Sequence, residues 1–226
     1  MKTSELRGKL EKMRQKLFDT RDKRVHPLKD DKILTDWNGL MIAAFAKGAQ
    51  VLNDDSYAQA AGNAADFVLE NLKEKNGRLL KRYRQGESSL PAHLEDYAFF
   101  SWGLLELYEA TFDVKYLSES LLLTEIMTDL FWDEANGAFF FTADDSEELI
   151  ARYKHTSDNA TPSGNGMAAT ALLKLSELTG EDRWRDAAVD CLVLMSRQMT
   201  QQPLASGQAL LALDDWLDST TDSPAE

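Results

Sequence analysis

A single cysteine in 226 residues cannot close an internal disulfide, and with no Cys-x-x-Cys pair the chain has no dithiol redox centre of its own. Cys191 stands in the apolar run Cys191-Leu192-Val193-Leu194-Met195, where a buried small hydrophobe is expected rather than a nucleophile. Positive charge is in short supply: 25 Lys and Arg face 38 Asp and Glu, for a formal net charge of −13. That balance argues against a nucleic-acid reader, which needs a basic stripe, and against docking on an anionic membrane. The basic residues that gather between Lys2 and Lys32 read as one solvated amphipathic helix. No apolar run is long enough to span a bilayer. The opening MKTSELRGKL lacks the apolar centre of a signal peptide, so a cytoplasmic location is expected. The acidic loop Asp144-Asp145-Ser146-Glu147-Glu148 lacks EF-hand spacing, and neither a metal nor another cofactor is expected.

What the chain does have is repetition. One unit begins at Asn38-Gly39-Leu40 and reaches Tyr57; a second begins at Asp96-Tyr97-Ala98 and reaches Tyr116; a third begins at Asn165-Gly166-Met167 and reaches Trp184. Leu40 to Tyr57, Ala98 to Tyr116 and Met167 to Trp184 span 17, 18 and 17 positions, so the internal geometry is nearly fixed. The first half of each unit is apolar on most faces, as in Leu40-Met41-Ile42-Ala43-Ala44-Phe45-Ala46, which predicts a helix buried nearly all round. The second half is amphipathic: Tyr57, Ala61, Ala64, Val68 and Leu72 form one stripe, and Trp184, Ala188, Cys191, Met195 and Met199 form its counterpart. Inner and outer helices should therefore alternate, with Asp55, Asp113 and Asp182 capping the outer ones.

Asn76-Gly77 and Asn136-Gly137 predict turns before strand-like segments near 78–83 and 138–142, the latter paired with 149–153. A first helix over 4–20 carries Leu6, Leu10, Met13 and Leu17, and a last one runs from Pro203 to Trp216. The expected class is all-α: about eight helices in repeated hairpins, one domain over 1–219, and a disordered tail over 220–226.

The polar loops ahead of the inner helices carry the candidate chemistry. If those helices run parallel, Asp36-Trp37-Asn38, His93-Leu94-Glu95-Asp96-Tyr97 and Asp158-Asn159-Ala160-Thr161-Pro162-Ser163-Gly164-Asn165 converge on one mouth. Free N–H groups and positive helix ends would face a ligand there. Glu95 and Asp96 are adjacent carboxylates, and like charges so close raise one pKa. Asp36, His93, Glu95 and Asp96 are the catalytic candidates. Trp37, Asn38, Tyr97, Asp158, Ser163 and Asn165 are the candidates for holding a substrate. Asp, Asn and Ser before a helix also serve as plain caps. Trp37, flanked by Asp36 and Asn38, is suited to stacking on a sugar face, whereas Trp102, Trp132, Trp184 and Trp216 fall at core positions. Arg152 and His155 read as surface residues.

The stretch Arg24-Val25-His26-Pro27 through Asp36-Trp37-Asn38-Gly39-Leu40-Met41-Ile42, with Leu94-Glu95-Asp96-Tyr97-Ala98 and the Asp158–Asn165 segment, resembles the YyaL-like, spermatogenesis-associated thioredoxin-domain family. The resemblance runs from about Leu17 to Trp216. It implies the later part of an α/α toroid similar to six-hairpin glycosidases and N-acylglucosamine 2-epimerases, without the family's thioredoxin-like domain. Members commonly have Ser at the position of Asp36 and Asn-Ser at the position of Asn165-Gly166. A closed ring of six hairpins would need twelve helices, so a partial ring is expected. The implied function is a carbohydrate-active domain, hydrolase-like or epimerase-like; a non-catalytic ligand- or partner-binding module, or an inactive fragment, is the alternative. A homodimer through open toroid edges, near Leu6, Leu10, Met13 and Leu17 and near Leu204, Leu210, Leu211, Leu213 and Trp216, is expected of such a ring.

Overall fold

The computed structural model describes residues 3–147 and 149–221 and divides the chain into two compact units, Met1–Lys32 and Ile33–Glu226. In the first unit α1 (Thr3–Asp22) buries none of its residues, and the stripe Leu6, Leu10, Met13, Leu17 is exposed.

The second unit is built from helical hairpins, as the repeat requires. The inner helices are α2 (Thr35–Leu52), α4 (Leu94–Thr111), α6 (Gly164–Thr179) and α8 (Gly207–Thr221). The outer helices are α3 (Asp55–Asn71), α5 (Val114–Phe131) and α7 (Asp182–Gln201). Helices of this length are marginal alone and gain their stability by burying an apolar face. α4 and α6 bury most of their first three turns, including Phe99, Phe100, Leu104, Met167 and Leu172. α7 buries the stripe Trp184, Ala188, Cys191, Met195 and Met199, and burial pushes the Cys191 thiol pKa up, out of reach of nucleophilic use.

The inner helices run parallel. Asp36 meets Asp96 and Lys47 meets Glu106; Glu95 lies against Gly164 and Glu106 pairs with Lys174; Gly166 sits beside Gln208. α2 and α4 approach backbone to backbone. A Cβ on Gly39 would stand 2.5 Å from the Phe99 carbonyl, and one on Gly103 would stand 2.6 Å from the Gly39 oxygen. Only glycine permits that crossing.

Two of the three outer-helix caps differ from the sequence reading. Asp54, not Asp55, accepts the Ser56 N–H; Glu181, not Asp182, holds the cap position of α7; Asp113 caps α5 as expected. Strands β1 (Ile33–Leu34), β2 (Leu80–Arg84) and β3 (Glu87–Pro91) form one antiparallel sheet in the order β1-β2-β3. The β2–β3 turn is Gln85-Gly86, both at positive φ, a pattern that follows the strand twist.

The segments 138–142 and 149–153 do not form the expected strand pair. Their ladder partners are taken by side chains: Asn165 binds both the N–H and the C=O of Phe139, and Arg152 donates to the Thr142 carbonyl. One backbone link, Phe141 N–H to Tyr153 O, remains between them. The last helix starts at Gly207 rather than Pro203, after a single 3₁₀ turn at Pro203–Ala205. Thr220 and Thr221 belong to α8, and residues 222–226 of the expected tail lie outside the described residues. No described helix is long and apolar enough to cross a membrane.

Candidate functional site

The N-termini of α2, α4 and α6 share one end of the unit, and two charged constellations meet there. The first is buried. Asp96, the third residue of α4, accepts the His93 N–H at 2.8 Å and the Asp36 N–H at 3.2 Å, so its carboxylate ties the starts of α2 and α4 together. Asp96 has no exposed surface, and Asp36 has little. Lys81, on β2, reaches both from above, its Nζ 3.2 Å from Asp96 and 3.3 Å from Asp36. Burial pushes the Asp96 carboxyl up to about 7 against the pull of Lys81, with the charge of Asp36 adding to the rise.

This gives a pH signature. Between about pH 4 and 7 folded Asp96 holds a proton that the unfolded chain has released, so stability falls as pH rises through that window, by at most about 1.4 kcal/mol per pH unit. Burial, then the charge of Lys81, lowers the His93 pKa, which works in the opposite sense below its ordinary titration range. Melting temperatures measured from pH 4.5 to 7.5 should fall across the window, and Asp96→Asn should flatten the fall. An unchanged slope in that variant would show Asp96 ionised throughout.

The second constellation is partly open. His155 Nδ1 lies 2.5 Å from Glu95 Oε1. Because a carboxylate only accepts, Nδ1 carries the hydrogen and Nε2 is left as the basic nitrogen. Glu95 is the second residue of α4. It has room because α6 begins with glycine: a Cβ on Gly164 would come within 3.1 Å of the Glu95 Cγ. Asn165 fixes His155 by donating to its carbonyl at 3.0 Å. Phe141 sits between the rings of His93, stacked at 4.5 Å, and Tyr153, stacked at 5.1 Å, and meets His155 edge-on. The buried His93 Nδ1 has no hydrogen-bond partner among the described residues.

Of the sequence candidates, then, Glu95, His93, Asp36 and Asp96 do meet at one end, but only Glu95 and the half-buried His93 have surface to offer a solute. Trp37 is 61% exposed on the first turn of α2. The remaining candidates hold backbone. Asn38 donates to Leu34 O, and the Tyr97 hydroxyl, inside the core, accepts from Leu79 N–H. Asp158 accepts from Ser163 and Gln208 N–H, and so starts α8. Ser163 caps α6, and Asn165 is fully buried among main-chain groups. Lys81 and His155 are the residues the sequence reading passed over. His155 lies three positions before Asp158, which was a usable signal; Lys81 reaches the site only through the sheet.

No family model matches the chain. It is 37% identical over 209 residues to spermatogenesis-associated protein 20 of Rattus norvegicus, covering 88% of this chain and 26% of that protein. It is 35% identical to the Homo sapiens protein of the same name, covering 88% and 27%. The chain thus spans about a quarter of the length of these curated relatives. Among solved structures, a GH76 α-mannanase of Bacteroides thetaiotaomicron superposes with a TM-score of 0.69 at 15% identity, over 87% of this chain and 56% of that one. A cellobiose 2-epimerase of Bacillus thermoamylovorans superposes at 0.63 and 17% identity, over 75% and 46%. The unit has the α/α toroid fold of these proteins over roughly half of their length.

Proposed function

This chain belongs to the spermatogenesis-associated protein 20 family, and we propose that its arc of inner helices is a carbohydrate-active centre that shifts a proton on an open-chain sugar, as an aldose–ketose isomerase does. The observation that carries the reading is the Glu95–His155 pair at the mouth where three inner helices begin. A carboxylate-oriented imidazole is a general base suited to neutral pH. His155 Nε2 takes the proton from C2; the C–H electrons become the C1=C2 bond, and the carbonyl pair moves to O1, which takes a proton from His93. His93, kept neutral by burial and by Lys81, serves as the hydrogen-bond donor to that oxygen, and the helix N-termini stabilise the developing charge. His93 then recovers a proton from O2, the C2 carbonyl forms, and the C1=C2 pair takes the proton that His155 returns to C1. Trp37 is the exposed ring against which the sugar would lie.

Hydrolysis is the weaker reading. A glycosidase uses two carboxylates that reach the scissile bond, and here Asp96 is enclosed while Asp36 is held by Lys81. The test is incubation with D-mannose and D-glucose in D₂O, followed by NMR. Ketose formation with deuterium at C1, and deuterium at C2 of the aldose re-formed, is expected, and Glu95→Gln or His155→Asn should slow both by about 100-fold or more with melting temperature unchanged. Absence of exchange in the wild type, or equal rates in the variants, would overturn the proposal and favour a binding module.

A further inference from the structure

All four inner helices contribute to one cavity of about 640 Å³, within the range of small-ligand sites. It lies toward the C-terminal halves of α2, α4 and α6. Glu106 on its wall is eleven residues beyond Glu95 along α4, about 16 Å at the helical rise. We propose that this cavity is a second binding site, for a neutral saccharide, distinct from the mouth and independent of any reaction there.

The wall is built for hydroxyl groups. Trp102 is half-buried, and its indole N–H donates to Glu106 Oε1 at 3.1 Å, which fixes the ring. Glu106 is 3% exposed, a buried carboxylate facing two ammonium groups. Lys174 Nζ lies 2.5 Å from its Oε1, and Lys47 Nζ lies 2.8 Å from its Oε2 without the alignment of a hydrogen bond. Lys174 also pairs with Glu109 at 2.8 Å. Glu106 and Glu109 neutralise Lys174 and Lys47, which removes the main attraction for an anionic ligand; Glu177, Asp215 and Asp218 add carboxylates to the same lining, so a cation is the competing ligand. Gln208, on α8, donates to Thr170 on α6 at 2.8 Å and keeps its amide oxygen for a further donor. Alternating donors and acceptors around one oriented indole are what vicinal hydroxyls and the C–H face of a sugar require, since the polar groups are paired already and need little reordering. Glu177 and Asp215 line the same cavity, the first carboxyl raised by burial and the charge of Asp215, the second by burial and the charge of Asp214, so they too can share protons with hydroxyls.

Saturation-transfer NMR with cellobiose, and separately with spermidine, tests the site on the full chain. Leu211 lines the cavity yet is 60% exposed, so Leu211→Trp fills it without touching the ion pairs. Cellobiose signal is expected equally in the wild type and in Glu95→Gln, and at least tenfold weaker in Leu211→Trp. Gln208→Leu should weaken it likewise if Leu211→Trp does not fold. No cellobiose signal in the wild type, signal that survives both cavity variants, signal lost in Glu95→Gln, or a response to spermidine alone would each overturn the proposal. Loss of isomerisation in Glu95→Gln with cellobiose binding kept would separate this site from the mouth.

Discussion

Lys81→Met should cost about 3–5 kcal/mol of stability near pH 8, the largest single effect expected at this end of the fold. Lys81 is the cation between Asp36 and Asp96, and neither carboxylate can retreat to water, because both are held among the first turns of α2 and α4. Methionine keeps most of the stem and removes only the charge. The cost should shrink at pH 5, because Asp96 already sits near a pKa of 7 and can hold a proton once its cation is gone. Asp96→Asn in the Lys81→Met background should recover part of the loss near pH 8, since a neutral amide needs no counter-ion. Denaturant titrations at the two pH values check all three statements. A loss below about 1 kcal/mol, typical of surface ion pairs, would mean that water reaches the pair. The variant also tests the mouth: after burial, the charge of Lys81 is what lowers the His93 pKa, against the pull of Glu95 and Asp36.

Asn165→Leu carries the second large expectation. The Asn165 side chain has no exposed surface and makes three main-chain bonds: it accepts from Phe139 N–H at 2.8 Å and donates to the carbonyls of Phe139 and His155 at 2.9 and 3.0 Å. Leucine is near in volume but leaves the N–H and C=O of Phe139 without their partner, while the His155 carbonyl keeps only the Asn165 backbone N–H at 3.4 Å. At about 1–3 kcal/mol for each such group, a loss of about 2 kcal/mol or more is expected. The chemical consequence is separate. The segment from Phe139 to His155 forms no strand ladder, so Asn165 is what holds the His155 backbone beneath Glu95. Any turnover assigned to the Glu95–His155 pair should therefore fall in Asn165→Leu even at temperatures where the variant is folded. Asn165→Asp gives a graded control, because a carboxylate can accept from Phe139 N–H but cannot donate to either carbonyl. A variant with wild-type stability and turnover would remove Asn165 from both roles.

The sequence by itself determined the helices and their order. Apolar residues recurring at helical spacing decide which face is buried, and that holds wherever the helix packs; the stripe from Trp184 to Met199 is buried residue for residue. The repeat fixed the alternation of inner and outer helices, because an element apolar nearly all round has to be surrounded. Tertiary structure decided which polar residues do chemistry. Asp, Asn and Ser ahead of a helix look alike in sequence whether they bind a ligand or a backbone N–H, and burial sorted them. Tyr97, Asp158, Ser163 and Asn165 were consumed by main-chain groups, while Glu95 kept an accessible edge. The partners of the charged groups were decided there as well. Lys81 and Asp96 are 15 residues apart, and Glu95 and His155 are 60 apart. Such a bond depends on where two chain segments cross, and no periodicity along one segment records the position of the other. The backbone contact of Gly39 with Phe99 shows the same limit: glycine in a helix reads as a weakness until the neighbouring helix that needs the space is in place.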